Sequence, residues 1–311
     1  MHVFRKLDEV PADFGPTIVS VGNFDGVHRA HRAVLRDMVA SARKHNAKAV
    51  AVTFEPHPIR ILRPDSGLKL ITPVGEKIRL LETTELDGVL LLPFTRDLSL
   101  MTPHEFAHEV LKKRLRALEV YEGYNFHFGH KAAGNVDMLT QFGRELGFEV
   151  RVFSEMTLRG ESVSSSHIRK LIQAGRVSRA RHLLCRPFSV LSTPGRGRGF
   201  GSKYTVPTIN LSRYEELVPN DGVYITRTRV GGECFDSVTN VGNRPTFGAD
   251  SFAIETHLLN FHPIALAPDT EIEIHFLQRL RDEIKFPTIE DLKIQIGKDV
   301  KKSTRYFRLL G

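Results

Sequence analysis

The chain contains 311 residues, of which 41% are hydrophobic and 26% are charged, and its formal net charge is +8. This length predicts about two domains, and the composition is typical of a globular protein with a substantial core. The sequence has no apolar run of about 18 residues, no secretory signal and only two cysteines, so we expect a cytoplasmic protein without membrane spans, disulfide framework or structural zinc site.

The first half of the sequence alternates short apolar runs with amphipathic segments. The apolar runs predict buried strands over 17–23, 48–54, 88–94, 118–124 and 148–153. The amphipathic segments predict helices over 28–45, about 103–116, 135–146 and 165–184. Such alternation predicts a parallel sheet that is covered by helices on both faces.

The second half of the sequence changes to a period of two. Apolar and polar residues alternate over 222–230, 252–261 and 271–277, and turn-rich loops lie at 231–232, 243–250 and 262–269. This pattern predicts an antiparallel unit, in particular a small barrel. A final amphipathic helix is expected over about 288–308. We expect the domain boundary near 186, which gives domains over 1–186 and 187–311.

The stretch GNFDGVHRAH follows the first predicted strand and leads into the first predicted helix. Unpaired N–H groups and the helix dipole make such a turn a binding site for anions. Gly22 and Gly26 let the backbone approach a ligand closely. His28 and His31 lie on one face of the helix, so both can donate hydrogen bonds to the same phosphate chain. A zinc-binding pair and two ordinary surface histidines are alternative interpretations.

Two further segments have compatible chemistry. TFEPHP (53–58) ends the second predicted strand, where open α/β sheets place ligand-binding loops. SSSHIR (164–169) is typical of a helix start, with Ser164 or Ser165 as the cap and Arg169 one turn later. Hydroxyls, exposed N–H groups and an arginine suit a triphosphate. The three segments together predict a nucleotide site.

These motifs resemble those of the bifunctional bacterial riboflavin kinase/FAD synthetase family. GNFDGVHRAH is similar to the family's G-x-F-D-G-x-H-x-G-H signature, with Ala30 in place of a glycine, and TFEPHP, GYNFHFGHKAAGN and SSSHIR follow in the family's order. VPTINL resembles the P-T-x-N motif of the kinase module, and TNVGNRPTF, IETHLLNF and LRDEIKF fit the same module. The resemblance covers nearly the whole chain.

For the first half, the resemblance implies a Rossmann-like α/β nucleotidyltransferase domain that adenylylates FMN to FAD and releases pyrophosphate. The implied ATP-binding residues are Gly22, Asn23, Phe24, Asp25, Gly26, His28, His31, Ser164, Ser165 and Arg169, with His28 and His31 as catalytic residues. The implied flavin-binding residues are Phe54, Pro56, His57, Pro58, Asn125 and Phe128. The nucleophile is a phosphate that is already anionic, so this step needs positioning and charge stabilisation rather than a strong base.

For the second half, the resemblance implies a riboflavin kinase domain, which is a small antiparallel β-barrel with a C-terminal helix. An alcohol nucleophile needs a proton acceptor, and Glu255 is the candidate because it points away from the apolar side of its strand. Thr208 and Asn210 alternate on one face, so both can hold Mg²⁺ with the ATP phosphates. The implied ATP-binding residues are Gly197, Gly199, Gly201, Lys203, Pro207, Thr208 and Asn210, and the implied flavin-binding residues are Asn240, Gly242, Arg281 and Phe286.

The expected ligands are riboflavin, FMN and FAD, with ATP as co-substrate and Mg²⁺ as cofactor. We expect no nucleic acid or membrane partner. The expected oligomeric state is a monomer or a weak homo-oligomer. An adenylyltransferase with a degenerate kinase is one alternative, because residues 202–206 depart from the family pattern. An RNA-binding protein with a basic surface is another. Riboflavin-dependent ATP consumption would identify the enzyme, whereas tight, salt-sensitive RNA binding without turnover would identify the binder.

Overall fold

The computed structural model describes residues 1–195, 208–243, 252–262, 264 and 266–310. The chain forms two compact units, Met1–Ser165 and Ser166–Gly311. Within the described ranges, no helix has both the length and the apolar character that a bilayer span requires. The predicted site residues Gly197, Gly199, Gly201, Lys203 and Pro207 lie outside the described residues, as do the family departures at 202–206.

A six-stranded parallel sheet forms the centre of the first unit. The strands of this unit are β1 (His2–Phe4), β2 (Thr17–Val21), β3 (Lys48–Glu55), β4 (Gly88–Pro93), β5 (Ala117–Gly123), β6 (His127–Phe128), β7 (Gly134–Asn135), β8 (Glu149–Phe153), β9 (Thr157–Leu158) and β10 (Glu161–Ser162). The large sheet has the order β1-β4-β3-β2-β5-β8, and all its neighbouring pairs are parallel. The predicted parallel sheet is confirmed, and β1 is an additional edge strand.

Helices accompany the first sheet. They are α1 (Arg29–Lys44), α2 (Pro58–Leu62), α3 (Val74–Glu82), α4 (Arg96–Leu100), α5 (Pro103–Glu105), which continues in π-helical form over Phe106–Arg114, and α6 (Val136–Leu146). Alternate residues of the strands enter two separate core clusters, so Val19 packs in one and Ile18 in the other. Both faces of the sheet are therefore covered, as the sequence predicts. Helix α3 lies in a segment for which the sequence analysis predicted no helix.

The chain order of the strands fixes where a ligand can bind in the first unit. Strand β2 pairs with β3 on one side and with β5 on the other. The chain thus leaves β2 in one direction and later returns to its opposite edge, which is a topological switch point. In open parallel sheets, ligands bind in the crevice at the carboxyl ends of the strands at such a point. The segments after β2, β3 and β5 all lie at this edge.

An antiparallel sheet forms the centre of the second unit. Its strands are β11 (Phe188–Ser192), β12 (Thr208–Asn210), β13 (Gly222–Val230), β14 (Glu233–Asn243), β15 (Phe252–Leu258) and β16 (Ile272–Arg281), in the order β11-β16-β13-β14-β15-β12. A bridge between Pro194 and Leu211 joins the ends of the two outermost strands, so the sheet curls in the manner of a barrel. The predicted antiparallel β unit is confirmed. Strands β11, β12 and β14 are additions to the predicted strands.

The helix predicted over 165–184 is two helices, α7 (Ser165–Gln173) and α8 (Val177–Leu184). The two helices separate at Gly175, whose φ of +70° favours glycine. A Cβ at this position would lie 2.9 Å from Arg279 Cδ and 3.0 Å from Tyr224 Oη. Helix α8 packs on β11 and β16. Residues 166–184 therefore group with the second unit by contact, and the boundary of the catalytic domains near 186 stays a prediction.

The predicted C-terminal helix is confirmed as α9 (Ile289–Leu310), which packs against β14. Its buried Asp299 accepts a hydrogen bond from Arg281 Nε at 2.9 Å and lies 2.8 Å from another Arg281 nitrogen. Gln295 donates to the other oxygen of the same carboxylate at 2.9 Å. A buried carboxylate needs such compensation, because an unpaired one would be costly to desolvate. This ion pair fixes the helix to the end of β16.

Candidate active sites

A buried aspartate holds the glycine-rich loop that follows β2. Asp25 is 3% exposed, and its carboxylate accepts hydrogen bonds from the backbone N–H groups of Ile71 and Thr72 at 3.0 Å and from the Thr72 hydroxyl at 3.3 Å. The Thr72 hydroxyl in turn accepts from Gly26 N at 3.0 Å. Hydrogen bonds to a charged acceptor are among the stronger ones in proteins. The loop is therefore fixed to the segment that precedes α3.

The backbone of this loop is left-handed at three positions. The φ angle is +47° at Phe24, +86° at Gly26 and +37° at Val27. Such values are uncommon for bulky or β-branched residues and are found at functional sites that the surroundings hold in place. The Phe24 ring is buried and packs over Gly22, where a Cβ would lie 3.4 Å from it, an ordinary contact distance. Here Asp25 and Phe24 act as anchors of the loop.

The two histidines begin helix α1 as predicted. His28 is the N-cap residue and accepts from His31 N at 3.5 Å, and the two rings stack with centroids 3.6 Å apart. Burial, and then the charges of His28 and Lys77, hold the pKa of His31 well below its ordinary value. The imidazole of His31 is therefore neutral at neutral pH. In the described part of the chain, no cluster of three metal-ligating side chains is present, so the zinc interpretation gains no support.

Sequence analysis missed Lys77, which lies on α3 beneath the loop. Lys77 is 3% exposed, and its ammonium donates to the carbonyl oxygen of Asn23 and to the hydroxyl of Thr53, each at 3.2 Å. The available signal was helical spacing, because Lys77 follows Val74 by three residues and precedes Leu81 by four. A lysine in line with apolar residues on a helix indicates a buried charge with a specific partner.

Glu122 near the end of β5 is a second residue that the sequence analysis missed. It is 3% exposed, and its carboxyl group accepts a hydrogen bond from Val21 N, the last residue of β2, at 2.7 Å. Burial raises the pKa of Glu122 well above its ordinary value, although the Val21 hydrogen bond opposes this effect. A neutral carboxyl group thus joins the two strands that flank the switch point. Its sequence signal was an acidic residue inside an otherwise buried strand.

The predicted flavin-binding residues at the end of β3 lie near the same edge of the sheet. His57 is 4% exposed and caps α2 by accepting from Ile59 N at 3.2 Å. The Phe54 ring makes an edge-on contact with Phe94 at a centroid distance of 5.6 Å. Pro56 and Pro58 flank His57 and are partly buried. These residues form the turn that joins β3 to α2.

The other two predicted flavin-binding residues follow β5 and differ in exposure. Asn125 is exposed, and its carbonyl oxygen lies 2.9 Å from His127 Nδ1. Phe128 is buried and stacks on Phe126 with centroids 5.2 Å apart. It also contacts Phe106, so its ring contributes to the core. Contact of either residue with a flavin stays a prediction.

The serine-rich segment begins α7 as expected. Ser165 is the first residue of the helix, and its hydroxyl donates to the carbonyl oxygen of Asp25 at 2.8 Å. Ser165 thus fixes the same loop as the Asp25 carboxylate does. Ser164 immediately precedes the helix, and Arg169 lies one turn into it, in the second unit. Roles of Ser164 and Arg169 in binding ATP stay predictions.

In the second unit, strand register aligns three predicted polar residues. Glu255 on β15 lies directly opposite Asn210 on β12 and directly opposite Asn240 on β14. Cross-strand partners point to the same face of a sheet, so the three side chains form one row. Glu255 is partly buried, whereas its neighbours Ile254 and Thr256 are buried on the opposite face. Thr208 lies on the same face as Asn210 and is exposed.

The remaining predicted kinase residues lie near the end of β16. A Cβ at Gly242 would lie 2.6 Å from the Glu283 carboxylate, and Asn240 Nδ2 donates to the same carboxylate at 3.4 Å. Arg281 lies over the Phe286 ring at 5.9 Å from its centroid, in addition to its ion pair with α9. Glu283 was not among the predicted residues, and its exposed carboxylate lies over Gly242.

Comparison with known proteins connects these two sites to one family. A model of the FAD synthetase family matches residues 10–167, and a model of the riboflavin kinase family matches residues 184–307. A bifunctional riboflavin kinase/FMN adenylyltransferase from Buchnera aphidicola subsp. Schizaphis graminum is 30% identical over 314 residues, which cover 100% of both chains. The protein of the same name from Haemophilus influenzae is 31% identical over 308 residues, which cover 99% of each chain. The chain belongs to the family of bifunctional riboflavin kinase/FMN adenylyltransferases.

A bifunctional riboflavin kinase/FMN adenylyltransferase catalyses two ATP-dependent reactions, the phosphorylation of riboflavin to FMN and the adenylylation of FMN to FAD. Both activities were predicted from the sequence, and both are confirmed. The degenerate kinase and the RNA-binding protein are not favoured.

A crystal structure of a macrolide-efflux protein from Streptococcus pneumoniae matches with a TM-score of 0.88 at 24% identity, over 97% of this chain and 98% of that chain. At this identity the likeness supports the fold alone.

The raised pKa of Glu122 predicts a specific pH dependence of stability. The folded enzyme keeps the Glu122 proton while the unfolded chain releases it, so this residue lowers the free energy of unfolding as the pH rises above the ordinary carboxyl pKa. Glu122→Gln keeps an oxygen that can accept from Val21 and removes the titration. The variant should gain stability over the wild type with rising pH, by at most about 1.4 kcal/mol per pH unit.

Urea unfolding followed by circular dichroism between pH 5 and 8 measures this difference. Glu149→Gln is the matched control, because the Glu149 side chain is exposed beside Arg151 and should show little pH-dependent difference. A difference between Glu122→Gln and the wild type that stays constant across this range would contradict the assignment of a neutral, buried Glu122.

Proposed function

We propose that the two reactions occur at two separate sites, the β2 loop in an adenylyltransferase domain over 1–186 and the row around Glu255 in a kinase domain over 187–311. The observation that supports this division is that each unit has its own polar constellation at strand positions that suit its reaction. The first offers N–H groups and histidines at a helix start, and the second offers a carboxylate between two amides. The groups of the first unit suit the positioning of phosphates, and the carboxylate of the second unit suits the acceptance of a proton.

In the adenylyl-transfer step, an oxygen of the FMN phosphate attacks the α-phosphorus of ATP. The bond between that phosphorus and the bridging oxygen breaks, and pyrophosphate leaves. The N–H groups at the start of α1, together with His28 and His31, would bind the phosphate oxygens on which charge increases. Since His31 is neutral at neutral pH, its contribution is a hydrogen bond rather than a charge.

In the phosphorylation step, a riboflavin hydroxyl attacks the γ-phosphorus of ATP. The bond between that phosphorus and the oxygen that bridges it to the β-phosphorus breaks, ADP leaves, and the hydroxyl proton must be accepted. Glu255 would accept this proton because its carboxylate lies on the polar face of β15 and is partly buried. Asn210 and Asn240 lie on either side of it in the strand register. Their amide groups would orient the carboxylate and the hydroxyl, which is the positioning that a general base requires.

The kinase site also has the oxygen ligands that Mg²⁺ prefers. Thr208 and Asn210 lie two residues apart on β12 and point to one face, with Ile209 buried between them. A hydroxyl and an amide oxygen, with phosphate oxygens of ATP, suit a small hard cation. When bound there, Mg²⁺ would neutralise charge on the phosphates. Thr208 and Asn210 would hold it, and Glu255 would remain available as base.

We expect this enzyme to act in the cytoplasm on riboflavin, FMN, FAD and ATP, without nucleic acid, as a monomer or weak homo-oligomer. The two cysteines, Cys185 and Cys234, are free and exposed, which suits a reducing compartment. The net charge of +8 suits substrates that carry phosphates.

A crossed pair of variants tests the division between the two sites. Replacing both His28 and His31 with alanine should abolish FAD formation and leave riboflavin phosphorylation intact, so FMN accumulates. Loss of one donor to a transition-state charge costs about a hundred- to a thousand-fold in rate, so loss of two should be unmistakable. Glu255→Gln should stop riboflavin conversion, while supplied FMN is still adenylylated. Chromatography of the flavin products measures both rates.

The pattern is informative only for folded protein, which circular dichroism establishes. If either folded variant loses both activities, one shared site performs both reactions and the proposal is wrong.

The magnesium assignment has its own test. Asn210→Ala should strongly reduce phosphorylation and raise its Mg²⁺ requirement, because one oxygen ligand is removed. Titration of kinase activity with Mg²⁺ gives the half-saturating concentration for each protein. Gln278→Ala is the matched control, since Gln278 is an exposed amide on β16 and should leave this concentration unchanged. Wild-type activity of Asn210→Ala at low Mg²⁺ would remove Asn210 from the metal site.

A further inference from the structure

Lys77 is the most deeply buried cation beside the adenylyltransferase loop. It lies on α3, is 3% exposed, and donates to the Asn23 carbonyl and the Thr53 hydroxyl at 3.2 Å each. The Thr53 hydroxyl also lies 3.2 Å from the Asn23 carbonyl oxygen. These three groups connect α3, the end of β3 and the first turn of the loop.

The burial of Lys77 has a physical cost that needs compensation. Desolvation lowers the pKa of Lys77, because burial disfavours its charged ammonium form. The carboxylates of Glu55 and Asp25 raise this pKa and so oppose the effect of burial. A methionine or leucine would fill the same space without this cost. A lysine retained here, with its ammonium on a loop carbonyl, indicates a task other than filling the core.

We propose that Lys77 is a positioning residue for adenylyl transfer, which fixes the Asn23 carbonyl and thereby orients the N–H groups of the loop toward the phosphates of ATP. The proposal rests on the assignment of adenylyl transfer to this loop. Asn23 lies between Gly22, whose N–H donates to Val52 O in β3, and Phe24, whose left-handed backbone turns the chain. Holding the carbonyl of Asn23 on one side directs the following peptide N–H to the other side.

The Lys77 charge also acts on the histidine pair. Burial is the main cause of the lowered pKa of His31, followed by the charge of His28 and then by the charge of Lys77. The Lys77 charge thus helps to keep the His31 imidazole neutral. The titratable groups around the two residues are His28, Asp25 and Glu55. The buried positive charge of the site therefore belongs to Lys77, and His31 is a neutral hydrogen-bonding group. Removal of the charge should let the pKa of His31 rise.

Three substitutions in the full-length enzyme separate the donor from the charge. Lys77→Met removes both, Lys77→Gln keeps a donor without the charge, and Lys77→Arg keeps both. Arg79→Met on the exposed face of α3 is the control. FAD formation from FMN and ATP should fall by about a hundredfold in Lys77→Met, the scale expected for misplacement of reacting groups, and recover in part in Lys77→Arg. Riboflavin phosphorylation by the same protein should not change.

A pH profile distinguishes positioning with charge from a merely structural role. The acidic limb of FAD formation should move to higher pH in Lys77→Met and Lys77→Gln and return in Lys77→Arg. NMR titration of ¹³C-labelled histidine, assigned with His31→Ala, should show the same shift of the His31 pKa. Wild-type FAD formation and an unchanged His31 titration in both folded variants, Lys77→Met and Lys77→Gln, would overturn the proposal.

The double His28/His31 alanine variant separates this result from the proposed function. If it forms FAD normally, the loop is not the adenylyl-transfer site, and the Lys77 proposal falls with that assignment. If it loses FAD formation while both Lys77→Met and Lys77→Gln retain it, the Lys77 proposal alone is wrong. If Lys77→Met does not fold, Lys77→Gln and Lys77→Arg still compare enzymes without and with the positive charge. Both keep a polar group at this position.

Discussion

The hydrogen bonds between the Asp25 carboxylate and the backbone of residues 71–72 are the interaction on which the proposed adenylyltransferase site depends. They hold a loop with left-handed backbone at Phe24 and Val27, a conformation that these residues do not favour by themselves. The loop leads directly into helix α1, which begins at Arg29 with His28 as its N-cap. This constraint thus fixes the loop that we propose binds the phosphates of ATP.

The proposed kinase site obtains its geometry from strand register instead. Asn210, Glu255 and Asn240 belong to three different strands, and antiparallel pairing alone brings them into one row. A network of buried hydroxyls that hydrogen-bond to one another connects β13, β14 and β15 within the same sheet. Its members are Thr226, Thr228, Ser237, Thr239 and Thr256. A satisfied polar network of this kind specifies one packing arrangement, because a shift of register would leave its groups unpaired.

The sequence predicted the features that arise from local spacing. The parallel sheet, the glycine loop, the two histidines at the start of α1 and the C-terminal helix all follow from periodicity or from contiguous motifs. The predictions missed what arises from contacts between distant segments. Lys77 was missed because α3 was not predicted, and Glu122 was missed because its partner Val21 lies 101 residues away in sequence. The break between α7 and α8 occurs at Gly175, whose φ is +70°, and a glycine of this kind is a local stop signal that the prediction of one helix overlooked.

Under the proposed function, the Asp25-anchored loop serves adenylyl transfer alone. The most direct measurement is chromatography of the flavin products that Asp25→Asn enzyme forms from riboflavin, ATP and Mg²⁺. The amide would place an NH₂ group or a weaker acceptor against the N–H groups of Ile71 and Thr72, so the loop would lose its anchor. We expect FMN to accumulate at the wild-type rate and little FAD to appear. Formation of FAD at the wild-type rate, or loss of both products by folded enzyme, would show that the loop does not serve adenylyl transfer alone.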